Sequence, residues 1–425
     1  MNRANLKLFI HGSAVSMLGI VLLGIMNYLI RRTLLLNLTN TDYGFFYSAF
    51  SLVMIIMVFL DLGLSQSTVI LLSGNFAENN QERANKIFTL TFMVKILLAL
   101  LVLGIMELAA PYLTRYYFKY SGGLVLFMLM LLLIPLQTLE AALTCVFIAR
   151  KAFKIQNIMM NAKVFIVLSG VLLTVRTYGV DACILWFIAA GVFVVTAEFF
   201  IVRTYGVRLI SLKGMSKCDI KNVFSLSSWI AVSTAGISIM YYLDTVCLTW
   251  LAGLEAVAVY NIALPIMQIA QSFFVFPAVF IPFVAEMWEK KDYAGIRKTC
   301  CIGSLLMLLT LPVFMLGGIY FAPAVITILF DAKYVAAAPA VTILWAGMVF
   351  FSIATFNISA LNSGGRQRSA AFLVVGCVIV NFILNTVLIP GYGYIGAALA
   401  TAGTYVIMAL GAFINLLITF YKIGK

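Results

Sequence analysis

Charge is what this 425-residue chain has least of: Lys, Arg, Asp and Glu make up 10% of it, against a hydrophobic share of 64%. A soluble protein needs roughly a quarter charged residues to cover its surface, so a water-soluble globular fold is excluded. Long polar stretches are also missing. The longest, Arg203 to Lys221 and Ala285 to Lys298, are too short to build a core of their own. Histidine is nearly absent, with His11 alone, and none of the seven cysteines has Cys-x-x-Cys spacing. That argues against a metal or redox centre and for cysteines as small packing residues. The first apolar run reaches about Ile30 with no small-x-small cleavage site, so it reads as a retained helix rather than a signal peptide.

What is there is apolar sequence in lengths that fit a bilayer. The mean hydropathy is +1.09, and a membrane-spanning helix needs about 20 apolar residues. About twelve such spans are expected, at approximately 9–30, 44–72, 86–110, 123–148, 157–175, 180–202, 224–251, 257–284, 300–322, 337–361, 369–389 and 393–421. The fold expected is an all-α integral membrane protein. The formal net charge of +13 could suggest nucleic acid, but its distribution indicates topology. With the spans alternating, 21 Lys and Arg residues fall on the side of the termini, among them Lys163, and only Arg31, Arg32, Arg115, Lys119, Arg176 and Lys333 on the other. This is the positive-inside bias with both termini cytoplasmic, and no nucleic-acid partner is needed to explain it.

A weak repeat runs through the chain at about half its length. Asp42-Tyr43-Gly44-Phe45-Phe46-Tyr47 follows the first span and Glu255-Ala256-Val257-Ala258-Val259-Tyr260 the seventh, 213 residues on. Tyr178-Gly179 is matched by Tyr392-Gly393 at an offset of 214, and Arg150 by Arg366 at 216. Two six-helix lobes, 1–212 and 213–425, are therefore expected, sharing one topology because six is even. Pro135, Pro265, Pro277, Pro282 and Pro312 are expected to break or bend their spans.

Charge inside a span is the main functional clue, because it costs about 2.5–3.5 kcal/mol on insertion scales and usually faces a cavity. Lys95 lies about ten residues into the third span and is a candidate contact for an anionic substrate, with a snorkelling lysine as the alternative. Asp244 and Glu140, deep in the seventh and fourth spans, are candidates for the cavity or for ion coupling. Asp61 and Glu198, read as near the cytoplasmic ends of their spans, fit structural hydrogen-bonded acids better. Arg31, Arg150 and Arg366 flank their spans as topology anchors or as planar donor forks for phosphate oxygens. Asn357, Asn362, Asn381 and Asn385 fit helix packing through amide hydrogen bonds.

Ordered along the chain, several of these stretches resemble one family. They are Arg31 with Asp42-Tyr43-Gly44, Asp61-Leu62-Gly63, Asp244 with Gly253-Leu254-Glu255-Ala256-Val257-Ala258-Val259-Tyr260, Gly364-Gly365-Arg366, and the run from Asn381 to Thr401. The chain resembles, over essentially its whole length, the polysaccharide-transport (O-antigen and capsule repeat-unit) flippases of the multidrug/oligosaccharidyl-lipid/polysaccharide exporter superfamily. The resemblance implies twelve helices in two six-helix lobes around a central cavity. The implied activity is movement of an undecaprenyl-pyrophosphate-linked oligosaccharide from the inner to the outer leaflet of a bacterial cytoplasmic membrane. Such a protein is not an enzyme and has no cofactor beyond a candidate H+ or Na+ coupling ion. Its partners are the lipid-linked substrate, membrane lipids, and the glycan polymerase and glycosyltransferases of the same pathway. Arg31, Asp61, Asp244 and Arg366 carry over as motif positions only. The alternatives are a drug or cation antiporter of the same superfamily, a membrane-embedded polymerase or glycosyltransferase, and a structural scaffold. No Asp-x-Asp metal pair or sizeable loop supports an enzyme.

Overall fold

The computed structural model describes residues 3–61, 63–210, 223, 229–272, 283–284 and 286–423, without the side chains of 3–18, 20, 269, 270, 272 and 420–423. Cys218, Lys213, Lys217, Lys221, Pro277, Pro282 and Lys425 lie outside the described residues, as do the side chains of Arg3, Lys7, His11 and Lys422. The described backbone is helical, as a chain in lipid requires when water cannot satisfy its amides. Helices α1 (Arg3–Asn37), α2 (Asn40–Asp61), α3 (Leu64–Ala77) and α4 (Gln81–Tyr112) come first. They are followed by a π-helical turn, then α5 (Gly123–Leu131), α6 (Leu133–Ala149) and α7 (Phe153–Thr204). The remainder comprises α8 (Trp229–Leu251), α9 (Leu254–Ser272), α10 (Tyr293–Leu308), α11 (Leu311–Leu329), α12 (Ala338–Ser363) and α13 (Gln367–Ile423).

Eight helical stretches among the described residues are long and apolar enough to cross a membrane. Two of them, within α7 and α13, are double passes. Trp186 Nε1 donates to Thr174 Oγ1 at 3.0 Å, whereas twelve residues of straight helix span about 18 Å. The chain must therefore reverse between them, and it does so at Gly179, with φ 58 and ψ −134. Gly393 repeats that geometry with φ 56 and ψ −132, and Asn381 and Thr404 meet across it at 3.4 Å. Only glycine adopts this backbone without strain. With α7 and α13 each counted twice and α1 and α9 added, the described chain makes about twelve passes, as its hydropathy indicates.

Proline and glycine account for the remaining interruptions. The fourth pass divides into α5 and α6 just before Pro135, and the ninth into α10 and α11 just before Pro312. The second pass breaks at Gly63, with φ 87, and then continues as α3 to Ala77. Helix α3 thus runs a few residues past the expected end of the span near residue 72. Asp61 is the last residue of α2, at that break, sixteen residues before Ala77.

The chain forms two compact units: residues 1–39 with 56–228, and residues 40–55 with 229–425. In the first, Leu72, Ile87, Phe88, Val146, Phe147 and Val202 form part of the core joining α3, α4, α6 and α7. In the second, the start of α2 packs tightly on α9. A Cβ on Gly44 would sit 2.0 Å from the Leu254 carbonyl oxygen, and the Ser48 and Thr249 hydroxyls bond at 2.5 Å. Outward-facing side chains such as Leu108, 86% exposed, suit lipid contact and would be costly in water.

Candidate functional site

Among the described residues, the acids buried inside the passes mark three clusters, two in the first unit and one in the second. In the first, Gly63 ends α2 so that the Asp61 carboxylate reaches back over the start of α3. Ser65 Oγ donates to Asp61 Oδ1 at 2.5 Å, and Lys95 Nζ reaches the same oxygen from α4 at 2.7 Å. Lys95 also donates to Ser65 Oγ at 2.5 Å. The lysine is 3% exposed and the aspartate 37%. Lys95 is therefore not a snorkelling residue, and its charge is matched by Asp61 in this conformation.

The second cluster joins α6 to both arms of α7. Lys163 Nζ contacts Glu140 Oε2 at 2.5 Å, with both side chains half-buried. Lys163 was expected among the anchors outside the hydrocarbon. Because α7 starts at Phe153, it lies ten residues, about 15 Å, along the helix. Glu198 is near this pair and is 2% exposed. Its Oε2 is buried without a hydrogen-bond partner among the described residues, so the hydrogen bonds expected of a structural acid are not seen at that oxygen.

The third cluster surrounds Asp244, 1% exposed on α8. Tyr260 from α9 donates to Oδ2 at 2.6 Å, and Thr401 from α13 donates to the same oxygen. Asn385 Nδ2 donates to Oδ1 at 2.8 Å, and Asn381 Nδ2 at 3.4 Å. Asn381 and Asn385 are one helical turn apart and so share a face of α13. All four partners are neutral. The Asp244 carboxyl therefore has hydrogen bonds without a cation among the described residues, the reverse of Lys95 and Asp61. Asn385 Oδ1 is buried beside it without a hydrogen-bond partner.

The flanking arginines separate. Arg150 stacks over Phe76, its guanidinium carbon 3.7 Å from the ring centroid. It donates to Gln81 Oε1 at 2.7 Å and to the Tyr205 carbonyl at 3.2 Å. Arg150 therefore clamps the ends of α3 and α7 and the start of α4. Arg366 is exposed in the turn between α12 and α13. Arg31 is half-buried near the end of α1. The structure brings neither into the three clusters. Sequence reasoning missed Tyr260, Thr401 and Lys163 as cluster members. The clearest available signal was the pair of asparagines spaced by four in the apolar run of α13.

A family model described as "Polysaccharide biosynthesis protein" matches residues 9–288. An uncharacterized membrane protein of Methanocaldococcus jannaschii is 29% identical over 406 residues, covering 90% of this chain and 78% of that protein. A Haloferax volcanii protein described as "Probable low-salt glycan biosynthesis flippase" is 25% identical over 222 residues, 50% of this chain and 47% of its own length. Among solved structures, an inward-facing multidrug-resistance MATE transporter of the MOP superfamily superposes with a TM-score of 0.78 at 13% identity, covering 95% of this chain and 96% of that one. The lipid II flippase MurJ, inward closed, superposes with 0.76 at 14% identity, covering 97% and 90%. At these identities the structures establish the fold.

Proposed function

Because the chain belongs to the polysaccharide biosynthesis protein family, we propose that it is a flippase for a lipid-linked oligosaccharide. The observation that carries this is the burial of charge inside membrane passes, in a chain whose polar segments are too short to house separate chemistry. Sugars and phosphates cannot cross hydrocarbon unaided, because stripping water from charged groups is prohibitive. The glycan flippase and lipid II flippase among its relatives and structural neighbours support the substrate class.

The carrier is taken to be undecaprenyl pyrophosphate, moved from the inner to the outer leaflet of a cytoplasmic membrane, with both termini on the cytoplasmic side. Alternating access driven by an H+ or Na+ gradient supplies the energy, and the chain is a transporter rather than an enzyme. Asp244 and Glu140 are the coupling candidates. The Asp244 ring favours this role, because its carboxyl and the spare Asn385 Oδ1 suit a proton or small cation. Glycosyltransferases of the same pathway load the carrier and a polymerase consumes the product.

Proteoliposomes carrying a fluorescent undecaprenyl-pyrophosphate oligosaccharide test this directly. The expected result is protein-dependent flipping, faster under an imposed ion gradient and slowed by D244N. No acceleration over protein-free vesicles, together with uptake of cationic drugs, would replace the proposal with the antiporter. Flipping that persists without a gradient and with both acids neutralised would remove the coupling.

A further inference from the structure

We propose that Glu198, with Glu140 and Lys163, forms a proton-binding site in the first unit. The cluster contains two acids and one base, so only one carboxylate can be matched. Glu140 takes Lys163 at 2.5 Å, leaving Glu198 2% exposed with its Oε2 unpartnered. An ionised carboxylate without a donor or cation is far too costly to bury. Glu198 therefore carries a proton and is the neutral acid of the cluster. Asp244 provides the contrast, since its buried carboxyl has four donors around it.

The proton also has a route in and out. Glu198 lies six residues before the end of α7 at Thr204, about 9 Å along the helix. The Glu140–Lys163 pair is half-buried rather than sealed. When Lys163 swings from Glu140 toward Glu198, Glu198 can release its proton to water and share the ammonium with Glu140. The cluster's charge then changes from zero to one negative, and proton uptake reverses the step. Among the described side chains, no other charged group acts on Glu198. Of the elements packed on α7, α6 contributes Glu140 and the thiol of Cys145, α5 carries no ionisable side chain, and α3 and α4, which share the core around Val202, hold their buried base Lys95 on Asp61. Among the described side chains of α1, Tyr28, Arg31 and Arg32 lie toward its far end. The charges acting on Glu198 are those of Glu140 and Lys163.

This inference rests on the ion-coupled reading for its role in transport, but not for the proton itself. An apolar carbodiimide, which adds to protonated carboxyl groups in membranes, tests occupancy on the full chain in lipid nanodiscs, with modified peptides mapped by mass spectrometry. The expected result is modification of Glu198 at neutral pH with Glu140 spared. Modification should fall about tenfold for each pH unit above the midpoint, as the neutral fraction does. In E140Q, Lys163 loses its partner and turns to Glu198, so modification of Glu198 should fall at least about tenfold at neutral pH. Unmodified Glu198, or modification indifferent to E140Q, overturns the proposal. E198Q provides a check independent of labelling: it should leave thermal stability unchanged at neutral pH, and a loss of stability there also overturns it. Labelling as expected with export indifferent to a proton gradient keeps the proton site and defeats the coupling. Gradient-driven export without labelling does the reverse.

Discussion

The two units share their turns and differ in their polar interiors. Helices α7 and α13 start 214 residues apart, at Phe153 and Gln367, and reverse at glycines with the same offset. On that register Asn381, Asn385 and Thr404 of the Asp244 region correspond to Val167, Val171 and Ala190, all buried and apolar. Conversely, Lys163 and Glu198 correspond to Cys377 and Ala412, again buried. Asn80 and Asp292 cap the starts of α4 and α10, 212 residues apart, and in that register Lys95 corresponds to Met307. One backbone plan thus carries opposite electrostatic solutions. The first unit matches Asp61 and Glu140 with lysines and leaves Glu198 unmatched, and the second surrounds one acid with neutral donors. The backbone repeat preserves the packing, while the buried charges mark where each unit has its own role.

The largest effect is expected where the second unit's solution is removed. D244A leaves four buried donors facing a void, each costing about 1–3 kcal/mol when unsatisfied. The folded protein should be lost from detergent extracts, whereas D244N should fold and lose coupled export. A D244A protein as stable as the parent in thermal unfolding would show that the ring does not depend on its acid.

In the first unit the corresponding change should be asymmetric. D61N strands Lys95, 3% exposed, without its counter-charge, and should cost about 3–5 kcal/mol. K95M leaves Asp61, 37% exposed and so less enclosed than the lysine, and should cost clearly less. The double variant should recover most of the D61N loss, because an apolar pair can replace a buried ion pair. The reverse order of the single variants would mean that Asp61, rather than Lys95, is the buried partner.

Most of the helical plan could be read in the sequence because its signals are local. Apolar length set the passes, and Pro135 and Pro312 stand just after the breaks in the fourth and ninth passes. The Tyr-Gly pairs marked the two reversals. The clusters were only half legible. Lys95, Glu140 and Asp244 stood out as charges in apolar surroundings, but their partners depend on which helices pack. Lys163 was hidden because the fifth span was expected to begin at about 157, which set it close to the side where lysines are expected, whereas α7 begins at Phe153. Asp61 stood out as an acid in an apolar span, but its pairing with Lys95 depends on how α3 and α4 pack. Thr401 and Tyr260 carry no charge and are common in membrane helices, so only packing identifies them as donors to Asp244.

The two reversals give a test of the repeat that is independent of its polar groups. A Cβ at Gly393 would meet nothing within 4 Å, and at Gly179 only Leu38 at 3.9 Å. Substitution therefore probes backbone strain alone, at about 1–3 kcal/mol for a non-glycine residue held there. G179A and G393A should lower thermal stability by the same amount. Unequal losses would show that the matching dihedral angles do not reflect matching constraint.

The smallest effects separate the two arginines that the repeat places in register. Arg150 covers the Phe76 ring and spans Gln81 and the Tyr205 carbonyl. R150A removes a cation–π contact worth about 0.5–2 kcal/mol and leaves the ends of α3 and α7 without their clamp. Thermal unfolding should record a loss of about 2 kcal/mol, partly recovered by R150K, whose ammonium lacks the planar fork. Arg366 lies exposed in its turn, so R366A should stay within about 0.5 kcal/mol of the parent. If R366A nevertheless abolished glycan export with stability intact, Arg366 would be a contact made only with substrate. The two arginines would then share a place in the repeat but serve different purposes, as the two interiors do.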